Sequence, residues 1–156
     1  MPGSDFVEGI DLLQVLAREG CPDAAKDLSD IYFTGACGLL NPPAAVALME
    51  KYKDKLHPHY LYRSALCRLS GVGLPKDEAR GEAELRDAAK TGLLEAMCSL
   101  GELLCRRTGR LERREGLDWL EKSRREGFPP AAGMLALYRR KFQNLAPVKK
   151  PGKKPR

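Results

Sequence analysis

An all-α superhelix of antiparallel helix pairs, a solenoid of about four repeats, is the fold class this sequence predicts. Three observations predict it. Similar segments recur on Ala24, Tyr60, Ala96 and Ala131, at spacings of 36, 36 and 35 residues. Within each segment apolar residues return every three or four positions, the period of one buried helical stripe. Hydrophobic residues make up 43% of the 156, aromatics only 6%, and the apolar content is mostly Leu and Ala, a mix that favours helices over strands.

The segments agree in detail. Four residues before each of the four marks stand Gly20, Leu56, Gly92 and Gly127; glycine suits a helix end whose next residue turns left-handed. Four residues after them come Leu28, Ser64, Leu100 and Leu135, then Ser29, Ala65, Gly101 and Ala136, so that a larger residue sits beside a small one. Seven after them come Ile31, Cys67, Leu103 and Tyr138. The segments between carry Leu13, Met49, Leu85 and Leu120 at equivalent places.

Start signals complete the assignment. Asp23 is placed to cap the helix after it, Asn41 precedes Pro42 and Pro43, and Pro75 and Pro129-Pro130 mark two further starts. Eight helices are expected, at 5–19, 23–34, 42–55, 59–70, 76–91, 95–107, 112–126 and 130–143. Residues 1–5 are expected as a flexible N-terminus, 6–143 as the helical repeat domain and 144–156 as a disordered basic tail.

The run Gly71-Val72-Gly73-Leu74-Pro75-Lys76-Asp77, followed by Ala79, Leu85, Ala88-Ala89, Gly92 and Glu95-Ala96, resembles a complete Sel-1-like repeat, a branch of the TPR-like helical repeats. Leu28, Tyr32 and Gly35 carry the pattern before it; Leu100-Gly101, Trp119-Leu120 and Gly127 carry it after. The resemblance covers residues 6 to 143. Three positions depart from it: Arg68 stands where the family has Tyr, Arg107 where it has the first turn glycine, and Leu56 where it has the closing glycine.

Charge and cysteines narrow the function classes. Of the formal +6, five positive charges lie at Lys149, Lys150, Lys153, Lys154 and Arg156, which leaves about +1 on the rest and no basic face for nucleic acid. Cys21, Cys37, Cys67, Cys98 and Cys105 are odd in number and form no C-x-x-C pair, so they read as small buried hydrophobes and not as a disulfide framework or zinc site. Some secreted members of the family staple each hairpin with a cysteine pair; that pairing is absent here.

No window approaches the roughly 18 apolar residues of a membrane span, and the first residues lack a secretory signal's basic start. A soluble, cytoplasmic protein is the expectation.

Chemistry is thinly supplied. His57 and His59 flank Pro58 in a connection and share no helical face. Cys98 and Cys105 lie two turns apart, about 10 Å along a helix. Glu112 to Glu115 reads as solvated surface. Gly71-Val72-Gly73 with Lys76 lacks the strand and the Gly-Lys-Ser/Thr ending of a phosphate loop. No catalytic residue, metal site or cofactor is expected, and no small-molecule substrate.

The resemblance implies instead a non-enzymatic adaptor or scaffold that binds another protein or a peptide on its concave helical surface. By analogy with bacterial members of the family, that partner would be a dedicated one, with this chain as an immunity or accessory protein of an effector. Inward positions of such repeats fall two, six, nine and ten residues after each mark. They give Lys26, Asp30, Phe33, Tyr62, Leu66, Leu69, Glu102, Arg106 and Leu137 as candidate partner-binding residues, with Tyr62, Leu66 and Leu69 a second apolar stripe on one helix. The alternative is a protein tethered to nucleic acid or an anionic surface by the basic tail alone.

Overall fold

A computed structural model describes residues 4–143. Among them eight α-helices follow one another without a strand: α1 Ser4–Arg18, α2 Pro22–Thr34, α3 Pro42–Lys51, α4 His57–Ser70, α5 Glu78–Lys90, α6 Leu94–Cys105, α7 Arg110–Arg125 and α8 Pro129–Phe142, with a 3-10 turn at Ala36–Gly38. Residues 1–3 and the expected tail, 144–156, lie outside the described residues. Seven of the eight helices begin and end within two residues of the sequence expectation, so the period located them correctly.

The exception is α3, which ends at Lys51 instead of running to residue 55. Tyr52 leaves the helix and turns inward, 7% exposed, and its hydroxyl donates to the Ala17 carbonyl at 2.5 Å. The Tyr52 carbonyl then accepts from the amides of Lys55 and Leu56. Leu56 is itself buried and precedes α4 at φ −107°. Gly20, Gly92 and Gly127, its counterparts, turn left-handed at φ 100°, 97° and 96°. Here a buried leucine does by packing what glycine does by conformation elsewhere.

Helix starts follow local chemistry. Pro22, Pro42, Pro58 and Pro129 stand in first turns, where a missing N–H costs nothing. Asn41 Oδ1 accepts from the Ala44 amide at 3.2 Å and Asp77 Oδ1 from the Arg80 amide at 3.0 Å. Asp23 does not cap α2 as expected. Cys21 holds that position without a side-chain bond, because Pro22 already starts the helix, and Asp23 sits in the first turn. There its charge still favours the positive helix end.

The chain divides into two compact units, Met1–Ala96 and Met97–Arg156, the division falling inside α6. In the first, Ala17, Ala24, Leu28, Met49, Tyr52 and Leu56 form a buried core, with Leu13, Leu16, Tyr32 and Phe33 packed on it. In the second, Cys98, Cys105, Leu120, Ala131, Leu135 and Tyr138 do so, flanked by Phe128, Met134 and Phe142.

Each repeat pairs a first helix, A (α2, α4, α6, α8), with a second, B, and the pairs close on small residues. Ala65 of α4 and Gly81 of α5 are both buried, and a Cβ on Gly81 would meet the Ala65 carbonyl at 3.1 Å. Gly101 of α6 and Gly116 of α7 approach more closely still: a Cβ on Gly101 would lie 2.7 Å from Leu120 and 2.8 Å from the Gly116 carbonyl. Such contact lets Leu85 and Leu120 reach complete burial, each stabilising by about 1.5–3 kcal/mol.

Polar groups then tie the pairs. Glu84, its side chain 14% exposed, accepts from Ser64 Oγ at 2.7 Å, Arg68 Nε at 3.2 Å and Arg80 Nε at 3.1 Å. Arg68, at the family's tyrosine position, thus joins α4 to α5 by charge. Between α3 and α4 the Tyr60 hydroxyl donates to Glu50 at 2.5 Å. That bond, more than Lys53, lowers the Glu50 carboxyl below its ordinary value; burial first and the carboxylate second push the Tyr60 phenol up to about 12.

In the second unit the connection that lacks a turn glycine is closed by a side chain. Arg113 Nε donates to the Arg107 carbonyl at 2.7 Å, and its guanidinium lies 5.2 Å from the Phe142 ring centre. The run Glu112 to Glu115 is therefore not simply solvated surface: Arg113 is half-buried, because the backbone there needs a donor.

Two expectations follow. Gly101→Val forces backbone against backbone and should cost at least about 1–3 kcal/mol in chemical denaturation, whereas Gly133→Ala in α8, where a Cβ meets nothing within 4 Å, should be neutral or gain about 0.5–1 kcal/mol. Tyr60→Phe should move the Glu50 carboxyl titration upward toward the ordinary carboxylate range, read by carbon NMR. Its sign is fixed: a lowered carboxylate stabilises above its unfolded value and loses that stability as pH falls through the folded one, while a raised phenol stabilises below its unfolded value and loses that near pH 12. The variant should therefore show a flatter stability curve at both ends, and an unmoved Glu50 midpoint would assign the effect to Lys53.

Candidate functional site

Helical spacing puts Lys26, Asp30 and Phe33 on one face of α2, at i, i+4 and i+7. Tyr62, one period after Lys26, lies in the second turn of α4. The group that joins these helices is Arg63. One of its guanidinium nitrogens is 2.6 Å from Asp30 Oδ1, and the guanidinium lies 5.6 Å from the ring centres of both Phe33 and Tyr62. Arg63 side-chain exposure is 25% and that of Asp30 is 34%, so the pair is part-screened and orients the two helices more than it stabilises them.

Beside this pair is a cleft of about 120 Å³ lined by Lys26, Asp30, Met49, His59, Tyr62, Arg63 and Glu95. Three of the expected residues, Lys26, Asp30 and Tyr62, meet there. Phe33 and Arg63 continue on the other side into a smaller cleft with Glu50, Tyr60 and Arg68. Lys26, Arg63 and Arg68 supply positive charge across both clefts, and Asp30, Glu50 and Glu95 negative.

Leu66 and Leu69 lie further along α4, both half-buried. Leu69 leans on α5, where its Cγ would be 3.0 Å from a Cβ on Gly81. The apolar stripe is thus divided: Tyr62 belongs to the cleft and Leu69 to the helix pair. Thr34 and Ser70 turn their hydroxyls back to the carbonyls of Asp30 and Leu66, each at 2.8 Å.

The remaining expected residues are in the second unit. Glu102 of α6, half-buried, and Arg106, exposed just past the end of that helix, form an ion pair four residues apart. Leu137 of α8 is 57% exposed. Cys98 and Cys105 are buried, and burial pushes both thiols up, Cys105 to about 11, which makes them poor nucleophiles.

Sequence reasoning missed Arg63 and His59. Arg63 falls three residues after its mark, outside the inward positions of a regular repeat, and it reaches the cleft only because a long side chain spans two helices. Opposite charges at Asp30 and Arg63 were the available signal, but using it requires knowing how adjacent A helices align. His59 was read as a residue of a connection; it stands in the first turn of α4, half-buried. Among the described residues no group of three or more His, Cys, Asp or Glu is placed to hold a metal ion, and no helix is long and apolar enough to cross a membrane.

No family model matches the chain. Two curated relatives, both described as Protein SHC1 of Saccharomyces cerevisiae, from strains YJM789 and ATCC 204508 / S288c, are 31% and 30% identical over 90 residues. The match takes in 58% of this chain but only 18% of each relative's length. Among solved structures, the crystal structure of a Sel1 repeat protein from Oxalobacter formigenes aligns with a TM-score of 0.63 over 75% of this chain and 48% of that one, at 22% identity. With eight helices in A and B alternation and the small-residue closures at one period, the chain has the helical fold of a Sel1-like repeat protein.

Proposed function

We propose that this chain is a non-enzymatic scaffold that binds a protein or peptide on the A-helix face of its first unit. The observation that carries the reading is Arg63, held between Phe33 and Tyr62 by Asp30 beside a cleft of about 120 Å³. Tyrosine and arginine are the side chains that dominate binding energy at interfaces, and pre-set rotamers lower the entropy cost of binding.

Size argues against a metabolite. Small-molecule pockets run to about 300–1,000 Å³, whereas this cleft accepts one side chain of a larger partner. Lys26, Asp30, Phe33 and Tyr62 form the centre of the proposed surface, Leu66 extends it along α4, and Leu69 supports it from the α5 side. Glu102, Arg106 and Leu137 are proposed as a contact surface of the second unit. A dedicated partner, with this chain as its immunity or accessory protein, is the narrower form of the reading.

Affinity capture of the full chain from its native host, with mass spectrometry, should return a recurring protein partner. Tyr62→Asp together with Leu66→Asp should weaken that partner's binding at least about tenfold, with helical content unchanged. Leu111→Asp, at a position 83% exposed in the second unit, should leave it as it was. Removing residues 146–156 should leave it too; loss of binding with that deletion, together with strong salt dependence, would favour tethering by the tail.

A further inference from the structure

Leu28 and Tyr32 stand four residues apart on α2, about half a turn around the helix from Lys26, Asp30 and Phe33. They floor a groove of about 430 Å³ whose walls are Ala17 and Arg18 of α1 and Leu48 and Lys51 of α3. Both wall helices are B helices and run in the same sense, so their basic last turns, with Arg18 and Lys51, lie at one end of the groove. At that end the Tyr52 hydroxyl, donating to the Ala17 carbonyl, ties α3 to α1 and fixes the width. At the other, Gln14 Nε2 is 3.5 Å from the Tyr32 hydroxyl.

One period later the same positions are filled. Leu28, Tyr32, Ala44 and Leu48 correspond to Ser64, Arg68, Arg80 and Glu84, and those four are joined through the Glu84 carboxylate. Two leucines, a tyrosine and an alanine cannot make such a network, and the space stays open. The charge is reversed as well: Arg18 and Lys51 correspond to Asp54 and Asp87. Among the described residues neither Arg18 nor Lys51 forms an ion pair; Lys51 lies 5.1 Å from the Tyr52 ring centre, and no acid lines the groove. Glu50, beside Lys51 in sequence, is held by Tyr60 and Lys53.

We infer that this groove is a second docking site and that its occupant is an acidic segment of another protein: a large apolar side chain seats on Leu28 and Leu48, and carboxylates beside it meet Arg18 and Lys51. The apolar floor selects the side chain, and a positive rim with no acid of its own selects the charge. The volume falls among those of small-molecule sites, about 300–1,000 Å³, but such sites bury most of their ligand. Here Arg18, Ala47 and Lys51 are exposed, so the groove is open along its top and receives side chains from a chain lying across it. It lies on the side of α2 away from Arg63 and does not depend on the cleft proposed above.

Amide chemical shifts of the isotope-labelled full chain test this, followed at physiological salt while the capped peptide Asp-Glu-Phe-Leu-Glu-Asp is added. Ala17, Leu28, Tyr32 and Leu48 should shift together and saturate with a Kd at or below about 1 mM. The same peptide with lysine for every acid should bind at least about tenfold more weakly. Arg18→Asp with Lys51→Asp puts at two exposed positions the residue type found one period later. That variant should keep the circular dichroism of the parent and invert the preference, whereas Tyr62→Asp with Leu66→Asp should leave the preference unchanged. Groove amides that stay in place, whether or not residues 149–156 respond, overturn the inference. Equal binding of the two peptides, or an acidic preference that survives Arg18→Asp with Lys51→Asp, overturns it as well. Sodium decanoate that binds the groove more tightly than the acidic peptide also overturns it and makes the site one for a small amphipathic carboxylate.

Discussion

Close approach of two helix backbones is the constraint on which the rest depends. Where Gly101 meets Gly116 there is no room for a single added carbon, and at Ala65 and Gly81 little more. Only at that separation do Leu85, Leu100 and Leu120 lose all contact with water. The large residues supply the free energy, but the small ones set the geometry in which it is released. A sequence with the same leucines and bulkier partners would hold its helices further apart and leave gaps that neither water nor side chain fills well.

Departures from the repeat are where side chains take over a job usually done by the backbone. Leu56 replaces a left-handed glycine by burying itself, Arg113 replaces a turn glycine by donating to the Arg107 carbonyl, and Arg68 replaces a tyrosine by an ion pair with Glu84. Each substitution keeps the helix spacing and changes the chemistry of the nearby surface. The first of them lies one turn before His59 and Tyr60 and so helps to place the α4 face on which Tyr62 and Arg63 stand.

The helices were legible because their signals are local: glycine after a stripe, proline at a start, leucine at one period. What was not legible required knowing which side chain faces which across helices. Asp23 looked like a cap and was displaced by Pro22. Tyr52 looked like the continuation of α3, and only the position of the Ala17 carbonyl explains why the helix stops. Tyr62, Lys26 and Asp30 followed from position in the repeat, whereas Arg63 depends on side-chain length and on the offset of α4 against α2. Position in a repeat fixes direction, not reach.

The bond from Tyr52 to Ala17 spans 35 residues, nearly one whole period, in a chain whose contacts are otherwise mostly between neighbours in sequence. In a strictly nearest-neighbour array, loss of the outermost helix costs the next one its interface and reaches no further. Here the end of α1 is fastened to the residue that terminates α3, with α2 packed in the same core. Fraying of α1 therefore exposes a buried tyrosine hydroxyl two helices away, and α1, α2 and α3 behave as one cooperative block in which α1 borrows its persistence from α3.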